Sequence, residues 1–218
     1  GETMRSLSDC ALAAGSLGAG GMIAAGVAAV ASYAAAVCWL YESPRAGKAL
    51  MLVVAGAAFV SAWQLLPAAA GSDATASVDA VQVIGLATSG LLLGATTAAM
   101  LLGHWYLNSP GMQLAPLERL IALIATAVVL QAVVSGSSWL GLRDAESGPA
   151  LDGATWSMLA IRWGFGIVGI GALAWMAKKT LEIPNTQSAT GILYVAVIGA
   201  FTGEVMSLLL AAEHVYPL

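Results

Sequence analysis

Six long apolar runs occupy almost the whole of this chain, and they decide what it can fold into. A helix needs about 20 apolar residues, rising ~1.5 Å each, to cross the ~30 Å hydrocarbon core of a bilayer. Inside lipid every backbone N–H and C=O must be bonded within the protein, which leaves only helices and closed barrels. The runs here are continuous, not the roughly ten-residue alternations of a barrel strand. They fall at 10–41, 49–70, 78–107, 116–140, 154–179 and 188–212, and predict an all-α polytopic membrane protein. The expected form is one bundle of six transmembrane helices filling 1–218 as a single domain. Composition agrees: 59% of residues are hydrophobic and 9% charged, where a soluble domain carries about 25% charged.

The connections are short, so no extramembrane catalytic domain is expected. The opening GETMRSLSD lacks the basic start and cleavage site of a secretory signal. Lys and Arg set the orientation. Arg45, Lys48, Arg119, Lys178 and Lys179 gather at one face, against Arg5 and Arg143 at the other. The first face is therefore expected in the cytoplasm, with both termini periplasmic, in a bacterial-type inner membrane. Lipid is the main partner implied, other membrane or redox subunits are expected beside it, and no nucleic-acid partner is.

Small residues supply the packing signals, since apolar lipid gives helices no hydrophobic reason to associate and close contact must hold them. Gly20, Ala24, Ala28, Ser32 and Ala36 recur at every fourth position of segment one. Gly90 and Gly94 frame a second such pattern, Gly199 and Gly203 a third, and segment five carries Gly164, Gly166, Gly169 and Gly171. Pro44 and Gly47 read as breakers in the first loop, and Pro116 with Glu118 as the opening turn of segment four. His104, Trp105 and Tyr106 read as an interfacial aromatic belt.

Away from the ends of the apolar runs, two full charges remain, Arg162 in segment five and Glu204 in segment six. Charge at membrane depth is expensive, so such residues face a bundle interior, find partners and mark function. Consecutive segments run antiparallel, and helical rise places both roughly 12–14 Å from the same face. A direct Arg162–Glu204 contact is expected. Gln131 and Gln64 fall in the same outer half, so the four form a candidate quinone or ion site. A pair that only fixes helix register accounts for the same residues. No catalytic residue is assigned.

A helical bundle can also hold haem through His or Met ligands. His104 and His214 are expected at opposite faces, whereas His104 and Met176 share a depth, which makes His104 the residue a haem b would use; the weight of the sequence is against haem. Cys10 and Cys38 sit near opposite ends of one segment and cannot pair within it. No Cys/His cluster, phosphate loop or HExxH sequence is present, and no metal site is expected.

The Arg162 helix, the stretch TQSATGILYVAV and the helix holding Gly203 and Glu204 together resemble the last helices of integral-membrane anchor subunits of respiratory oxidoreductases of the dimethyl sulfoxide reductase type. The chain departs from that family in having fewer spans. The resemblance implies a cofactor-poor anchor that docks a redox partner in an electron-transfer assembly and offers a quinone pocket lined by Arg162, Glu204 and Gln131. The alternatives are a small transporter or channel using the Arg–Glu pair and a purely structural membrane subunit.

The topology has a direct test. In a background with Cys10→Ser and Cys38→Ser, a cysteine replacing Ser43 is expected to react with impermeant maleimide only from the cytoplasm, and one replacing Ser147 only from outside. Reversed labelling contradicts the orientation.

Overall fold

The structure, a computed structural model, describes residues 19–64, 80–109, 113–144, 153–183 and 185–213. Among them there is no strand, and six helical spans are each long and apolar enough to cross a membrane. The chain is an all-α polytopic membrane protein, as the apolar runs require. Its helices are α1 (Ala19–Leu40), α2 (Pro44–Trp63), α3 (Ala80–Asn108) and α4 (Ala115–Asp144). The fifth span joins α5 (Gly153–Ile161), a π-helical stretch (Arg162–Gly169) and α6 (Ile170–Glu182), and α7 (Thr186–Glu213) completes the chain. Cys10, His214 and the basic Arg5 lie outside the described residues. Contacts divide the chain into two compact units, Gly1–Asp79 and Ala80–Leu218.

The first unit is the antiparallel hairpin of α1 and α2. Its turn is shorter than the sequence suggests. Ser43 N–H bonds to the Cys38 carbonyl at 2.9 Å and Glu42 N–H to that of Trp39 at 3.2 Å, the paired bonds of a Schellman cap. Glu42 takes the left-handed conformation such a cap requires, with φ 55°. Pro44 opens α2 as its first residue, where a missing N–H costs nothing. Gly47 is no breaker: it lies inside α2, where a Cβ would come within 2.8 Å of the Trp39 indole nitrogen, so its bareness seats that ring.

Along α1 the series Gly21, Ala24, Ala28, Ala31, Ala35 and Cys38 is buried or half-buried, with Ala34 and Val37 half-buried beside it; along α2 the series is Gly47, Leu50, Val54, Ala57, Ser61 and Gln64, with Ala62 half-buried beside it. Both series alternate steps of three and four, the left-handed supercoil repeat. The strict every-fourth stripe is thus corrected. Each step of four overshoots a 3.6-residue turn, so the stripe winds off the contact face, and Ser32 and Ala36 are exposed.

The second unit is a four-span bundle. The spans contact in a ring: α3 with α4, α4 with the fifth span, the fifth span with α7, and α7 with α3. Buried positions again step by three and four, as Leu117, Ile121, Ile124, Ala127, Gln131, Ser135 and Ser138 do along α4. Leu, Phe and Trp side chains such as Leu101, Phe165 and Trp175 point outward, as lipid-facing residues do. Gly90 and Gly94 have open space where a Cβ would stand, so that pattern marks no helix contact. Gly199 and Gly203 do mark one. A Cβ at Gly203 would stand 2.5 Å from the Gly166 Cα, and one at Gly199 would stand 3.2 Å from the Phe165 carbonyl. At the far end, Trp105 faces outward, but Tyr106 turns in and donates to the Gln113 carbonyl at 2.8 Å, tying α3 to the chain entering α4.

The revised α1 stripe predicts that Ala31→Leu destabilises the protein by ~1–3 kcal/mol, the usual cost of overpacking, whereas Ser32→Leu changes stability little. Thermal unfolding in detergent measures both. Equal tolerance would contradict the assigned contact face.

Candidate functional site

The fifth span is where sequence and geometry meet. Between Arg162 and Gly169 it widens from α to π. The i→i+5 bonding of a π turn adds roughly one residue per turn and is found mostly as short pieces at functional positions. Gly169 fits this geometry, because a Cβ there would lie 2.8 Å from the carbonyl oxygen of Gly164, five residues back. The widened turn keeps Arg162, Gly166 and Ile170 buried at steps of four. Gly166 meets Gly203, so the backbones of the π stretch and α7 run almost in contact. That contact carries Arg162 and Glu204 into one place.

Ser89, Arg162 and Glu204 sit at matching depth, each nine residues from its helix terminus at Ala80, Gly153 or Glu213. They share the bundle interior with Gln131. A small recess of about 20 Å³ is lined by Leu92 of α3, Gln131 of α4, Arg162, Gly166 and Ile167 of the π stretch, and Ala200, Gly203 and Glu204 of α7. All four spans contribute. It lies between two apolar clusters, a large one built on Leu117, Ile124, Ile170 and Leu193 and a small one built on Leu159 and Leu210. The space suits one water-sized particle.

The polar groups divide unevenly. The Ser89 hydroxyl donates to Glu204 Oε2. Thr88 donates to Gln131 Oε1 at 2.7 Å and to the Gly85 carbonyl at 3.0 Å. Arg162 is only 4% exposed, yet its Nε and Nη1 have no hydrogen-bond partner among the described residues. Glu204 is close enough for its charge to act on Arg162. It does not close on it: among the described residues, Lys179 with Glu182 is the ion pair formed within 4.0 Å. The expected direct Arg162–Glu204 bond is therefore absent, and the carboxylate is engaged by Ser89 of α3 instead.

Arg162, Glu204 and Gln131 are thus brought together. Gln64 belongs to the first unit, where its amide packs on Gly20. His104 is exposed toward the other end of α3, with Nδ1 3.2 Å from the Tyr194 hydroxyl and the two rings edge to face. Met176 is 45% exposed on α6. The described residues contain no cluster of three or more His, Cys, Asp or Glu side chains. Sequence reading missed Thr88 and Ser89, since a hydroxyl in an apolar helix usually bonds its own backbone, as Thr96 does to the Leu92 carbonyl at 2.8 Å. Their signal is depth: Ser89 lies as far into its helix as the two charges do. The π stretch was missed too, although four glycines in eight residues of segment five mark an irregular helix.

No protein family, curated protein or solved structure matches this chain.

Because Arg162 and Glu204 share the interior without a direct bond, replacing both, Arg162→Met with Glu204→Met, is expected to leave thermal stability unchanged or raised, as exchanging buried charges for apolar side chains often does, whereas Arg162→Met alone strands the carboxylate. Ser89→Ala strands the Glu204 oxygen and is expected to cost ~1–3 kcal/mol. Loss of folding in the double variant would show that the two charges hold the bundle together.

Proposed function

We propose that this chain is a small membrane transporter or channel in which the recess between Arg162, Gln131 and Glu204 takes up and releases a proton or a small charged species. The supporting observation is Arg162: a guanidinium buried among four spans, with two nitrogens unbonded, beside an acid that is held away from it. A pair serving only to fix helix register gains most from direct bonding, and this one leaves donors free. A carboxyl that exchanges a proton beside a fixed cation is the form intramembrane relays and carriers use. The Lys/Arg bias supports an inner membrane with both termini periplasmic as the setting.

The second reading is an anchoring subunit of a larger electron-transfer assembly, docked to redox partners and contacting quinone, as the resemblance of the last two segments implies. The free N–H groups of Arg162 favour it, since a quinone carbonyl oxygen accepts from such donors. Space counts against it. Small-molecule pockets are about 300 Å³ or larger, and the recess holds about 20 Å³.

Protein purified from native membranes and sealed into vesicles with an internal pH dye separates the two. The transport reading expects a colourless protein that dissipates an imposed pH gradient, with Glu204→Gln abolishing the flux. Co-purifying redox subunits and a vesicle preparation without flux would overturn it in favour of the anchor.

A further inference from the structure

The recess carries a more specific chemistry than transport in general. Arg162 stays charged at every relevant pH, and its guanidinium offers donors only. It is 4% exposed, with Nε and Nη1 unbonded among the described residues, and it lines a space of about 20 Å³. Glu204 and Gln131 line the same space. Gln131 Oε1 is occupied by Thr88, and Glu204 Oε2 by Ser89. A group suited to these donors is therefore a hydrogen-bond acceptor little larger than water, and one carrying negative charge is favoured.

We propose that the recess binds one small monovalent anion of halide size on Arg162, and that it does so when Glu204 is protonated, so that one proton and one anion load together. The proposal rests on the transport reading and names its substrate class. With Glu204 ionised, the recess holds one positive and one negative charge, and the carboxylate repels an entering anion. Adding a proton to Glu204 leaves Arg162 uncompensated, and the anion then neutralises it. The proton stays on the carboxyl and the anion on the guanidinium; no covalent bond changes. Ser89 suits both states, because its hydroxyl donates to the carboxylate and accepts from the carboxylic acid.

Other titratable groups on the elements around α7 lie away from the recess. The elements packed on it are α3, α5, the π stretch and α6. They bring His104 and Tyr106 near the end of α3, Lys178, Lys179 and Glu182 in the last turns of α6, and Arg162 itself. Tyr194 on α7 bonds His104, and Lys179 bonds Glu182 at 2.9 Å. Glu213 closes α7 nine residues beyond Glu204. Of these, Arg162 alone lines the recess with Glu204.

Thermal unfolding of the purified protein, followed by tryptophan fluorescence in sodium chloride or sodium gluconate of equal strength, tests this. Chloride is expected to raise the unfolding temperature over gluconate, and by more at pH 5 than at pH 8. Because one proton and one anion load together, chloride affinity is expected to fall as pH rises. Glu204→Gln is expected to bind chloride equally at both pH values, Arg162→Lys to bind it more weakly, and Arg162→Met not at all. No difference between chloride and gluconate in the native protein at pH 5, or a chloride effect that survives Arg162→Met, would overturn the anion site. Proton flux in vesicles that ignores chloride would sink this inference alone. Chloride binding without any flux would sink the transport reading and leave the anion site standing.

Discussion

The contact of Gly166 with Gly203 is the constraint on which the second unit depends. At a crossing this close, neither backbone has room for a methyl group beside the other. In lipid, where burial of apolar surface gives helices no drive to associate, such approaches supply the dispersion contacts that hold spans together. This one has a consequence beyond packing. Glu204 follows Gly203 directly, and Arg162 lies one wide turn before Gly166, so closing the glycines delivers two charges to the bundle interior.

The polar layer these residues form is incompletely satisfied, and the imbalance is specific. Thr88 and Ser89, neighbours on α3, bond Gln131 and Glu204, while Arg162 keeps donors without a partner among the described residues. A buried charge left in that state is expensive, and strain of this kind concentrates where a protein binds or reacts. Apolar clusters on both sides of the layer, around Ile124 and Ile170 and around Leu159 and Leu210, limit where water can reach it. Low local polarity strengthens each remaining interaction, so a single proton on Glu204 changes the balance of the whole recess.

The spans were legible because lipid imposes one requirement, about 20 uncharged residues, that any reading of the chain can check. The site was legible in part for a related reason: charge is so costly at depth that Arg162 and Glu204 stand out alone, and antiparallel threading then gives their common level. What could not be read was direction around each helix. The every-fourth stripe of α1 differs from its real contact face by a small angle per turn, yet that is enough to expose Ser32 and Ala36. Gly90 and Gly94 share the spacing of Gly199 and Gly203 but face open space, because spacing does not say which neighbour is present. The direct Arg162–Glu204 bond was expected from charge alone, and a serine, unremarked in an apolar run, engages the carboxylate instead.

The central claim is that Arg162 lies buried in the bundle with its guanidinium not bonded to Glu204. Side-chain nitrogen NMR of arginine-labelled protein, with the Arg162 Nε–H signal assigned through Arg162→Lys, measures this directly. In chloride-free buffer the account predicts a signal protected from exchange that moves little in Glu204→Gln. A strongly downfield Nε–H proton that disappears in Glu204→Gln would show a direct ion pair and contradict it.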